Sequence, residues 1–156
     1  MEKISVNHIN PFLMSASQVV EQVCGIKMTR GPIAKDSTEI DGEPLFIMLG
    51  VTGEMTGQVC LVFDIEVAKD IASRMMMGMP VNEIDEMAKS ALSELGNMIM
   101  GNAATLLSNS NVLIDITPPT LGTGNARIAS PNMTCIRVPL QYEVGEIRLY
   151  FLLKLA

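Results

Sequence analysis

The chain has no tryptophan, and its two tyrosines and four phenylalanines make up only 4% of 156 residues. Platforms on which bases or sugar rings could stack are therefore not expected. Its one histidine, His8, stands near the N-terminus with no ligand-like neighbour, which argues against a metal centre. The three cysteines, Cys24, Cys60 and Cys135, are widely spaced and form no paired motif, so they read as plain buried thiols of a reducing compartment. Cations are also scarce. Eleven Lys and Arg against seventeen Asp and Glu give a net charge of −6. That balance excludes a surface built to displace counterions from nucleic acid and disfavours docking on an anionic membrane. No apolar run reaches the ~18 residues of a membrane span, and the opening MEKISVNHINPFL lacks the basic-then-apolar order of a signal peptide. The expectation is a soluble cytoplasmic protein.

What is abundant is aliphatic: 48% of residues are hydrophobic and thirteen are methionine, with a mean hydropathy of +0.32. The length suits one domain, spanning 1–156, with a core of aliphatic and thioether side chains. Asn10-Pro11 reads as the start of a helix that presents Phe12, Ala16, Val19, Val20 and Val23 on one face and stops at Gly25. Residues 26–43 hold turns at Gly31-Pro32 and Asp41-Gly42 and one edge strand. Runs 45–51 and 56–63 form a hairpin turned at 52–55. Asp64 caps a short helix to Met77, and a long helix from Glu83 to Ser108 follows, capped by Asn82 with Asp85 in the capping-box position. Next come a strand over 112–117 ended by Pro118-Pro119, a loop over 121–132, and a closing hairpin of 135–142 with 146–155. The two hairpins share a pattern, Gly57-Gln-Val59-Cys-Leu61-Val-Phe63 and Gly145-Glu-Ile147-Arg-Leu149-Tyr-Phe151, each with a helix upstream. A helix–strand–strand unit used twice fits this pattern, giving an α+β fold with long helices on a mainly antiparallel sheet.

Projected at about 100° per residue, the long helix has an apolar arc of Leu92, Leu95, Ile99, Ala103, Leu106 and Leu107. The opposite arc carries Ser90, Ser93, Glu94, Asn97, Gly101, Ala104 and Ser108. Glu94 and Asn97, three apart, are surface neighbours. The small residues Ser90, Ser93, Gly101 and Ala104 around them leave room for another protein surface. A carboxylate and an amide without His, Cys or Lys beside them cannot form a nucleophile–base relay. An amide can orient an attacking water, and a carboxylate can grip a partner's cation. Asn102, at the border of the arcs, reads as an amide that holds helices together. Gly96 permits close packing of a neighbouring element. The methionines 75–77 and 79 read as core and loop anchor or as an adaptable partner surface.

The run Ser90-Ala-Leu-Ser-Glu94-Leu-Gly-Asn97-Met-Ile-Met-Gly101-Asn-Ala103 resembles the signature helix of the CheC/CheX/FliY family of chemotaxis phosphatases. Ile116-Thr-Pro118-Pro119-Thr and the terminal hairpin with Gly145 at its turn are similar to that family as well. In the two-site CheC type the first half repeats the Glu/Asn pair. Here the candidate is Glu21-Gln22-Val23-Cys24, where Cys replaces the amide, so the likeness favours the one-site CheX branch. FliY carries an added flagellar-switch domain, for which there is no room.

The resemblance implies dephosphorylation of a CheY-like response regulator that brings both its aspartyl phosphate and its Mg²⁺, with no cofactor bound by this chain. Asn97 would orient the water, and Glu94 would pair with the regulator's phosphate-contacting Lys. It also implies a homodimer built through the sheet and swapped elements, for which the terminal hairpin offers an edge. A non-catalytic regulator-binding module of the same fold and a structural dimer with an idle face are the alternatives.

Overall fold

The computed structural model describes residues 4–35, 39–40, 42–124, 126–127 and 134–155, with no side-chain description for 39, 40, 126 and 127. Helix α1 (Val6–Cys24) is followed by the short strands β1 (Thr29–Arg30), β2 (Ala34–Lys35) and β3 (Glu39–Ile40). The first hairpin is β4 (Leu45–Gly53) with β5 (Met55–Phe63). Helices α2 (Ile65–Met75) and α3 (Glu86–Asn109) come next. The short strands β6 (Ile114–Ile116), β7 (Thr120–Thr123) and β8 (Ala126–Arg127) lead into the second hairpin, β9 (Ile136–Gln141) with β10 (Glu146–Leu155).

Strands β9, β10, β5 and β4 lie side by side in that order, all antiparallel. Alternation along them sends Leu45, Ile47, Leu49, Val59, Leu61, Phe63, Ile147, Leu149 and Phe151 to the face covered by the helices. Phe12 of α1 meets Phe151 there at a ring-centroid distance of 5.7 Å. Cys60, Val62, Tyr150 and Leu152 point the other way, into a smaller buried cluster with Cys135.

The repeated hairpin pattern matches the register. Val59 pairs with Phe151, Leu61 with Leu149 and Phe63 with Ile147, so equivalent residues exchange places about the Leu61–Leu149 pair. The short strands are exchanged between the halves. Strands β1 and β2 pair with β9, β6 and β7 pair with β4, and β3 pairs with β8.

Several boundaries differ from the sequence reading. Helix α1 begins at Val6, with Ser5 as cap, not at Asn10-Pro11. The Ser5 N–H donates to His8 Nδ1 at 3.0 Å, which gives the lone histidine a capping role. Pro11 sits inside the helix, where packing of Ile9, Phe12 and Leu13 into the core outweighs the lost backbone bond. Helix α3 starts at Glu86 rather than Glu83: Asp85 itself is the cap, accepting from the Ala88 N–H at 2.9 Å. The expected loop over 121–132 contains most of β7, because the edge of β4 needs a hydrogen-bonding partner, and β8, which pairs with β3; residues 125 and 128–132 lie outside the described residues. The single edge strand expected in 26–43 is three short pieces, and Asp41 lies outside the described residues. In the terminal hairpin β9 is partly covered by β1 and β2, while Leu152–Leu155 of β10 pair with β5 alone among the described residues.

Candidate functional site

Helix α3 is fixed on two sides. Beneath it, Leu92, Leu95, Ile99, Met100, Ala103 and Leu107 are buried. A Cβ on Gly96 would stand 3.3 Å from Ile47 Cγ2 and within 4 Å of Leu49 and Leu61, so the absent side chain lets the helix sit directly on β4 and β5. Beside it lies α1. The buried Ser15 hydroxyl donates to the Ile99 carbonyl, and the Asn102 amide donates to Gln18 Oε1 at 3.2 Å. Asn102 thus ties α1 to α3, as its border position suggested, through a side chain rather than the backbone.

These anchors turn the remaining arc outward. Ser90, Glu94, Asn97 and Gly101 are exposed, while Ser93 and Ala104 are half-buried at its edge. Leu106, expected in the core, is also half-buried. Among the described residues, neither the Glu94 carboxylate nor the Asn97 amide has a hydrogen-bond or ion-pair partner. Two polar groups left without a partner among the described residues are free to meet an incoming one. A Cβ on Gly101 would meet nothing within 4 Å, so the surface one turn beyond Asn97 is open.

That openness has a measurable consequence. Gly101→Ala is expected to raise unfolding free energy by about 0.5–1 kcal/mol, the helix-propensity gain with no steric cost. Gly101→Arg is expected to fold as well yet obstruct any protein that approaches Asn97. Urea denaturation of both variants checks the first part, and binding of a candidate partner checks the second.

The helix projection passed over Met87 and Met98. They are 62% and 36% exposed and flank Glu94 on the same arc. Their angular positions, within ~40° of Glu94 at about 100° per residue, were already a readable signal.

The first half holds no second copy of the pair. Buried Ile9, Phe12, Leu13, Ala16 and Val20 of α1 match buried Gly96, Ile99, Met100, Ala103 and Leu107 of α3, each 87 residues later (96 − 9 = 87). The same offset places Asn7 and Asn10, not Glu21 and Cys24, opposite Glu94 and Asn97. Asn7 lacks the acid, and Asn10 Oδ1 accepts from Arg30 at 3.2 Å.

Cys24 is buried, and burial pushes its thiol up to about 11 against the opposing charge of Arg74. Burial likewise pushes Cys60 up to about 12, with Cys135 adding to it. Both remain neutral thiols near pH 7 and make poor nucleophiles. Among the described residues, no cluster of three His, Cys, Asp or Glu could hold a metal ion, and no helix is long and apolar enough to cross a membrane.

Comparison with known proteins places this arrangement. The family model for chemotaxis phosphatase CheX matches residues 45–141. The CheY-P phosphatase CheX of Thermotoga maritima is 37% identical over 117 residues, which cover 74% of this chain and 75% of that protein. The solved structure of a CheC-like superfamily protein from Shewanella sp. PV-4 superposes with a TM-score of 0.87 at 25% identity, covering 97% of this chain and 99% of that one. A chain of the CheX-CheY-BeF3-Mg²⁺ complex from Borrelia burgdorferi superposes with a TM-score of 0.80 at 26% identity, covering 96% of this chain and 99% of that one. With its long helix seated on a duplicated antiparallel sheet, the chain belongs to the chemotaxis phosphatase CheX family.

Proposed function

We propose that this protein accelerates hydrolysis of the aspartyl phosphate on a CheY-like response regulator. The observation that carries the reading is the Glu94–Asn97 pair, exposed and unpartnered among the described residues on a face cleared by Ser90, Ser93, Gly101 and Ala104. The name of the Thermotoga maritima relative and the composition of the Borrelia burgdorferi complex support it.

In this mechanism the Asn97 amide enters the regulator's active site and holds a water in line with phosphorus. The water oxygen bonds to phosphorus as the bond to the aspartyl oxygen breaks, the aspartyl group leaves as a carboxylate, and both protons of the water depart with the phosphate as dihydrogen phosphate. Positioning supplies much of the gain in phosphoryl transfer. Glu94 pairs with the regulator's phosphate-contacting Lys and fixes the helix over the site. The chain itself binds no cofactor in this reading, since Mg²⁺ arrives on the regulator. The whole span 1–156 acts as one domain in the cytoplasm, where its substrate is. The homodimer implied by the resemblance belongs to this reading, with the end of β10 beyond Phe151, paired with β5 alone among the described residues, as one edge available to it.

The test is phosphate release from a regulator phosphorylated by a small-molecule donor. Added protein should accelerate it, and a rate equal to that of the regulator alone overturns the reading. Tight binding without release would favour the sequestering module instead. Glu94→Ala should raise the Kd for the phosphorylated regulator about ten-fold, the scale of one charge-assisted contact, with unfolding unchanged. An unaltered Kd removes the anchor role.

A further inference from the structure

Between α2 and α3 the chain leaves an open cleft of about 220 Å³, lined by Met76, Met79, Pro80, Val81, Glu83 and Met87 among others. An opening of that size, well above the ~10–15 Å³ that one water needs by the same measure, admits an aliphatic or aromatic side chain. Met76 is half-buried against the core, but the other two methionines are not spent on it, for Met79 is 56% and Met87 62% exposed. Adaptable apolar side chains left in water at a cleft mark a contact surface rather than a stabilising one.

Position and charge say whose surface it meets. Met87 precedes Glu94 by seven residues (94 − 87 = 7), ~10 Å along the helix and within ~20° of it around the axis. A protein held against Glu94 and Asn97 therefore covers Met87 as well. The rim is acidic: Asp85 is occupied in capping α3 and Glu86 pairs with Lys89 at 3.5 Å, but the Glu83 side chain has no partner among the described residues. An apolar side chain bordered by a basic one complements that rim.

We infer that this cleft receives an apolar side chain of the same response regulator, one that lies beside a basic residue and ~15 Å along the helix direction from the phosphoaspartate that Asn97 meets, so that Met79 and Met87 set which regulator is accepted. The inference rests on the phosphatase reading. It assigns recognition to residues that take no part in the hydrolysis.

Phosphate release measured against regulator concentration tests it with the intact protein. Met79→Gln/Met87→Gln should raise KM about ten-fold at unchanged kcat, while Met87→Leu should keep KM within two-fold. Both variants should unfold as the wild type does, since both positions are exposed. Wild-type acceleration with an unshifted KM in the double variant overturns this assignment alone. So does a double variant that changes only self-association, because the occupant is then a second copy of the chain. A wild type that accelerates nothing overturns the phosphatase reading and this one together.

Discussion

Asn97→Ala is expected to abolish the acceleration of phosphate release, lowering kcat by about 100-fold or more, the scale lost when a reactant is displaced from attack geometry. Unfolding free energy should stay within about 0.5 kcal/mol of the wild type, as for other exposed positions free of special contacts. The structure separates the two effects because the amide is exposed and makes no internal bond among the described residues, whereas the anchors of α3 lie on its other faces. Asn97→Asp should not rescue the rate: the carboxylate keeps the size but brings negative charge towards a phosphoryl group. Regulator affinity should change little in Asn97→Ala, in contrast to Glu94→Ala. Equal phosphate release by Asn97→Ala and wild type would sink the water-orienting role.

Gly57→Ala should have the largest effect on stability, a loss of about 2–5 kcal/mol from strained backbone and overpacking together. Gly57 lies in β5 between Val51 and Leu153, with φ +139°, a conformation that L residues rarely adopt. A Cβ there would stand 1.9 Å from the Leu152 carbonyl oxygen. That oxygen belongs to the backbone of the neighbouring central strand, so relief requires moving β10 against β5. Urea denaturation monitored by circular dichroism reads the loss, with Gly101→Ala as the control in which an added methyl meets open space. An alanine variant at Gly57 as stable as wild type would refute the steric argument. The matching glycine of the second hairpin, Gly145, has a different constraint: a Cβ there meets Val67 Cγ2 at 2.7 Å. Sequence similarity found the pair without revealing that the two positions are restricted differently.

The hairpins were readable because their central strands are continuous β-rich apolar runs, buried on both faces, and share one residue pattern from Gly57 and from Gly145. Even the register was implicit, since a two-fold arrangement about Leu61 and Leu149 brings Val59 to Phe151 and Phe63 to Ile147. The outward arc of α3 was readable from helical periodicity alone. Element starts were less so. Asn10-Pro11 imitates a helix start, and only the burial of Ile9 shows that the helix already runs through it. Asn82 and Asp85 both suit a cap, and the choice depends on where the chain leaves α2. Strand β7 has no pattern of its own, because Thr120–Thr123 owes its extended form to pairing with β4, a long-range fact. The Met79–Met87 cleft was hidden for the same reason, since methionines in sequence look alike whether they fill a core or line an opening.

The exchange of short strands constrains how such a molecule can be assembled. Each half surrenders its minor strands to the other half's hairpin, so a half alone would leave its own hairpin edge unpaired and its strands without a template. Two identical halves could satisfy each other only as an intertwined pair at a concentration-dependent cost. Helix α2 joins the halves covalently and makes that association intramolecular. Thr29 must still find Gln141 across more than a hundred residues, so closure of the sheet is expected to be slow and late in folding. Cutting the chain within α2 should therefore yield two fragments that acquire structure only when mixed.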